Sequence, residues 1–153
     1  MAIINKLVWV FFVALSLLLV SLEARGGVAV DFLTGRIGSK SLKEFILDNR
    51  LVTNVGELAL DSSDGVGSKH RQFTAILETK ASLMEIANEF SESVLKILNS
   101  GDGKVTRTSK SYPPNSFGFT YKENDGQLLI VNSIFYKEEG SVRIVIFVSR
   151  VGN

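Results

Sequence analysis

Three stretches near the end of the chain, Phe117 to Glu123, Gln127 to Tyr136 and Ser141 to Val151, are separated by Asn124-Asp-Gly126 and Lys137-Glu-Glu-Gly140. Glycine-containing turns this short reverse a strand within a few residues and join only antiparallel neighbours, so the region is committed to a meander. Ahead of it, Ser82-Leu-Met-Glu85 has the form of a helix capping box, in which serine and glutamate each take up a backbone N–H that has no partner inside the helix. Leu83, Ile86, Ala87, Phe90, Val94, Ile97 and Leu98 then recur at the three-and-four spacing that paints one face of a helix over 82–99. Earlier still, Gln72 to Thr79 alternates apolar with polar, the period of a half-buried strand. The C-terminal half therefore reads β-α-β-β-β: an α+β fold in which one long amphipathic helix packs on a face of an antiparallel sheet.

The last two strands constrain the fold further because they are apolar on both sides. Leu128, Ile130 and Ile134 alternate with Leu129, Val131 and Phe135, and Val142, Ile144, Ile146 and Val148 alternate with Val145, Phe147 and Val151. One helix covers one face, whereas an antiparallel sheet with a wet second face alternates apolar with polar. The second face thus calls for its own cover. The sequence offers 41–60 for that purpose, and the alternatives are a homo-oligomer, another protein or an apolar ligand.

In the N-terminal half, Val28 to Leu33 reads as a short strand. Ser41-Leu-Lys-Glu44 is a second capping box opening a shorter helix to Arg50, Leu51 to Leu60 reads as a strand, and Asp61 to Ser68 reads as a loop by its Asp, Ser and Gly content. Lys104 to Lys110 fits a short edge strand, bounded by Tyr112-Pro-Pro-Asn115, where proline supplies no N–H to a ladder.

Residues 1–26 belong to a different class. After Lys6 the run from Leu7 to Leu22 is apolar except for Ser16, and Ala24-Arg-Gly26 supplies small residues for cleavage. A positive residue ahead of an apolar stretch of about 16 residues is the pattern of a secretory signal peptide. As a helix that stretch covers only ~24 Å against a ~30 Å hydrocarbon core. The reading is a cleaved signal followed by one domain over 27–153, with secreted or periplasmic localisation; a retained membrane anchor is the alternative, and the membrane is met only through 1–26.

Composition narrows the chemistry of the remainder. The 153-residue chain has no cysteine, which excludes disulfides, thiolate metal sites and a cysteine nucleophile. Its 17 Lys and Arg nearly balance 16 Asp and Glu, so the basic field that nucleic-acid binding relies on is missing and no nucleic-acid partner is expected. Gly35-Arg-Ile-Gly-Ser-Lys-Ser41 lacks the spacing of a phosphate-cradling P-loop, and what it leaves is weak anion binding by Lys40 and Ser41 at a helix start. Asp61, Asp64 and Asp102 do not have the alternating spacing of a calcium loop, and Glu138-Glu139 lies in a hairpin turn, so neither a metal nor a cofactor is expected. The single histidine, His70, flanked by Lys69 and Arg71, is the candidate base of a small hydrolase partnered by a serine or carboxylate. Phe117, Phe119 and Tyr121 fall on one strand face, either as core or as a stacking platform for a ligand. With so few reactive groups, the leading function is a non-catalytic exported binding or assembly domain with a protein partner or a second copy, and the hydrolase is the alternative.

Overall fold

Ser41 and Ser82 each accept a hydrogen bond from the backbone N–H of a glutamate three residues on, and that glutamate's carboxylate accepts the serine's own N–H, so both helix starts are closed by short-range chemistry. These and the following features come from a computed structural model that describes residues 32–37, 39–111 and 115–152. Residues 1–26, read above as a secretory signal, lie outside the described residues. A helical turn at 32–34 leads into a minimal hairpin of β1 (Arg36–Ile37) and β2 (Lys40–Ser41), and helix α1 spans Leu42–Leu47 directly after it. The second, α2, spans Leu83–Ser100 and ends where Gly101 donates its N–H to the Leu98 carbonyl.

The other strands are β3 (Val52–Val55), β4 (Ala59–Gly65), β5 (Ser68–Thr79), β6 (Lys104–Ser111), β7 (Asn115–Lys122), β8 (Leu128–Glu138) and β9 (Ser141–Val151). They form one seven-stranded antiparallel sheet in the order β3-β5-β9-β8-β7-β6, with β4 sharing the β3 edge of β5. The chain thus makes one edge, crosses over through α2 to the far edge, and returns by the β6-β7-β8-β9 meander, which ends beside β5. The β8–β9 reversal places both Glu139 and Gly140 at positive φ, as the two-residue hairpin turns that match strand twist require.

Register sorts the side chains into two faces. Phe73, Ala75 and Leu77 of β5 stand opposite Ile146, Ile144 and Val142 of β9. Phe135, Ser133 and Val131 of β8 stand opposite Ile144, Ile146 and Val148, and Phe117, Phe119 and Tyr121 of β7 continue the rows. All of these are buried. Phe90 of α2 sits on this face, 5.8 Å from the Phe117 ring and 5.7 Å from Phe135, and meets Phe45 of α1 at 5.5 Å. Phe32, Leu33, Ile37, Leu42 and Ile46 join the same core. Each such ring removes a large apolar area from water, the main favourable term in holding helices to a sheet.

Several expectations are corrected. Asp61 to Ser68 is not a loop: β4 runs through it, fully exposed along its length, and only Val66 and Gly67 turn the chain into β5. An edge strand whose side chains meet water tolerates Asp and Ser, because what it contributes is backbone hydrogen bonds. Phe32 and Leu33 are helical, not extended, while Val28 to Asp31 lies outside the described residues. Leu51 to Leu60 is split into β3 and the start of β4. The edge strand expected over Lys104 to Lys110 is present as β6, so with it the C-terminal half reads β-α-β-β-β-β. Finally, 41–60 does not cover the second face. α1 joins the core beside Phe90, and β3 widens the sheet sideways instead of lying across it.

Candidate functional site

Both helices share one face, so the opposite face, hereafter the open face, is covered by no described element. Its central row runs Gln72–Phe147–Asn132–Gly118 across β5, β9, β8 and β7, and the next row runs Thr74–Val145–Ile134–Ser116. Phe147 is 37% exposed in mid-sheet, Ile76 and Tyr136 are exposed toward one end, and Ile130 and Ile134 are half-buried diagonal neighbours of Phe147. Asn132 lies flat across Gly118: a Cβ added at that glycine would collide with the amide, so glycine makes room for it. Arg143 is tied to Glu138 at the hairpin end.

Beside Phe147 the face sinks into a shallow depression of about 280 Å³ bounded by Asp61, His70, Gln72 and Ser149. His70 and Ser149 are register partners on β5 and β9, and His70 Nδ1 lies 2.8 Å from Ser149 Oγ. Serine and histidine at this distance are two parts of a nucleophilic site. The remaining parts are missing among the described residues. No carboxylate hydrogen-bonds the other ring nitrogen to fix its orientation. Asp61 borders the depression but makes no bond to the ring, while Asp64, paired in register with Lys69 on the other face, is held by Arg71 at 2.5 Å, and that guanidinium keeps its carboxyl below the usual carboxylate range. An oxyanion hole needs free N–H groups aimed at one point, whereas β5 and β9 are each paired on both sides along this stretch, so their backbones are committed to the ladder.

The other sequence candidates do not converge on this place. Ser41 Oγ and N both engage Glu44 as the N-cap of α1, and Lys40 pairs with Asp48, so both groups expected to attract an anion already have partners within the chain. Bonds from the Ser41 N–H and hydroxyl also hold the Glu44 carboxyl below its ordinary value. Phe117 and Phe119 stack in the core 5.5 Å apart, and Tyr121 Oη accepts the Gly103 N–H at 2.5 Å, so this row presents no open ring face. Among the described residues no group of three metal-ligating side chains occurs, and no helix is long and apolar enough to cross a membrane. Sequence reasoning placed Phe147 on the second face without assigning it a site, and it had no signal for Ser149, whose position beside His70 is set by long-range register. Comparison with protein-family models finds no matching family, and comparison with curated proteins finds no similar sequence.

Proposed function

We propose that this chain is an exported, non-catalytic binding or assembly domain, in which the layer carrying α2 is the scaffold and the open sheet face is the contact surface. Secretion or periplasmic release follows from the signal-like 1–26, with membrane tethering as the alternative if that segment is retained. The observation that carries the reading is Phe147, an aromatic ring exposed in mid-sheet with half-buried isoleucines on its diagonals and no described element above it. Aromatic side chains at the centre of a mixed polar and apolar surface are characteristic anchors of protein interfaces.

A photo-crosslinking amino acid at Ile134, on the open face, is compared with the same residue at Glu92, exposed on α2, in protein made by its own source. Adducts with protein from Ile134 and not from Glu92 support the reading. Equal labelling, or none from Ile134, sinks it. The hydrolase remains the second reading because of the His70–Ser149 bond, and it requires that Ser149→Ala abolish turnover of activated esters.

A further inference from the structure

We infer that β6, the edge strand on the opposite side of the sheet from β3 and β4, is a docking edge for an acidic, extended segment of another protein, which adds to it as a further strand. The inference goes beyond the open face and does not depend on it. β6 pairs with β7 on one side and with no described strand on the other, so along that other side its backbone N–H and C=O groups point outward. It is exposed at every position but Val105. Its register with β7 shifts between Val105 and Arg107 and is regular from Arg107 to Ser111, where Thr108, Ser109 and Ser111 are too small to block a neighbouring strand.

Charge selects the occupant. Lys104, opposite Lys122, and Arg107, opposite Thr120, lie on the open face because the bulge between them absorbs one residue, while Lys110, opposite Phe117, lies on the helix side. Lys104 and Lys122 are like charges set directly across from each other, an arrangement that costs stability unless an anion joins them. Among the described residues none of these four cations forms an ion pair. The neighbouring acids Glu123 and Asp125 are both bound to Arg150, Asp102 forms no pair, and Lys110 reaches only the uncharged amide of Asn88. An edge of this kind repels a copy of itself, and the same charges draw in a strand that carries carboxylates.

The other edges and the rest of the chain offer no equivalent. β3 is four residues long, Thr53 and Asn54 reach back to Glu78, and Asn54 Oδ1 accepts the Val55 N–H. β4 carries Asp61 and Asp64, which repel an acidic strand. Residues 1–31 hold only two acids, Glu23 and Asp31, beside Lys6 and Arg25, so the acidic strand comes from another protein.

The test uses the protein purified from its own source and the synthetic peptide Thr-Glu-Thr-Glu-Glu-Thr-Glu-Thr. Its order is the same from either end, so it presents carboxylates two and three residues apart whether it runs parallel or antiparallel to β6. Two control peptides are compared with it: one has lysine at each glutamate, and the other is N-methylated at every amide, which keeps the charges and removes the donors. The glutamate peptide alone should bind, more weakly as salt rises, and should slow hydrogen exchange at β6 amides while leaving β3 and β4 unchanged. Lys104→Glu, Arg107→Glu and Lys110→Glu together should raise its dissociation constant about 10-fold or more. Lys104→Glu alone guards against a triple variant that does not fold: it removes the like-charge pair with Lys122, so it should weaken the peptide while melting no lower than wild type. Equal binding of either control peptide, unchanged exchange in β6, or a Lys104→Glu chain that binds as tightly or melts lower overturns the inference. So does open-ended polymerisation of the protein alone, which would assign β6 to β4 of another copy. The crosslink at Ile134 judges the open face separately, so failure at β6 leaves that reading standing.

Discussion

The same strands build both faces of this sheet, yet the faces differ in kind. On the helix side the row Phe73–Ile146–Ser133–Phe117 carries a single polar residue, and α2 seals it with Phe90. One residue along, the row Gln72–Phe147–Asn132–Gly118 alternates apolar with polar and lies uncovered by the described residues. Backbone geometry and strand propensity are shared, so the contrast reflects what each face is packed against. A dry face selects volume and shape. The open face, uncovered by the described residues, holds amides and hydroxyls between its isoleucines and its exposed rings, Phe147 and Tyr136.

The contrast breaks most readily at Phe90. Its ring touches Phe45, Phe117 and Phe135, and Phe90→Ala should cost about 3 to 5 kcal/mol in denaturant melts. A loss below about 1 kcal/mol would show that the helix side is no more a core than the open side.

A smaller effect is expected where α2 begins. Ser82→Ala removes the side chain that accepts the Glu85 N–H and should cost about 1 kcal/mol. The same box makes the helix side sensitive to acid. Bonds from the Ser82 N–H and hydroxyl hold the Glu85 carboxyl below its ordinary value of 4.5. Because the folded value is the lower one, the stabilisation is complete above the ordinary value and disappears as pH falls through the depressed one. Melts taken stepwise downward from pH 6 should therefore show wild type losing more stability than Glu85→Gln, and equal losses would remove the carboxylate from the cap.

The smallest expected change sharpens the comparison from the other side. Phe147→Ser should cost the monomer no more than about 1 kcal/mol, well below Phe90→Ala, because 37% of the ring is exposed where Phe90 is buried. A cost like that of Phe90→Ala would mean that the open face is already packed within one chain.

What could be read from the sequence follows the range of the interaction. Both capping boxes were legible because serine and glutamate lie three residues apart and answer to local geometry. The β8–β9 reversal was legible for the same reason, and the two-sided apolar pattern of β8 and β9 announced a second face that needs cover. Strand β4 was hidden, since Asp61, Ser62, Ser63 and Asp64 have turn composition and only pairing with β5 holds them extended. The position of α1 was hidden too, because its apolar residues fit either side of the sheet and contact with Phe90 decides between them. His70 was singled out for its chemistry, but its neighbour Ser149 is brought there by the β5–β9 register alone.

The late arrival of β9 has a consequence in time. This strand lies between β5 and β8, pairing Ser68 with Val151 and Leu77 with Val142 across a stretch of chain that includes α2 and three strands. While the chain is being synthesised, β5 with its edge strands and the β6-β7-β8 meander can form only as two half-sheets, each ending in an unpaired apolar border. The contact that joins them is non-local and waits for the last described segment to appear, which marks it as the slow step of folding. A chain with this topology acquires its final shape late, when one strand fills the gap between two halves.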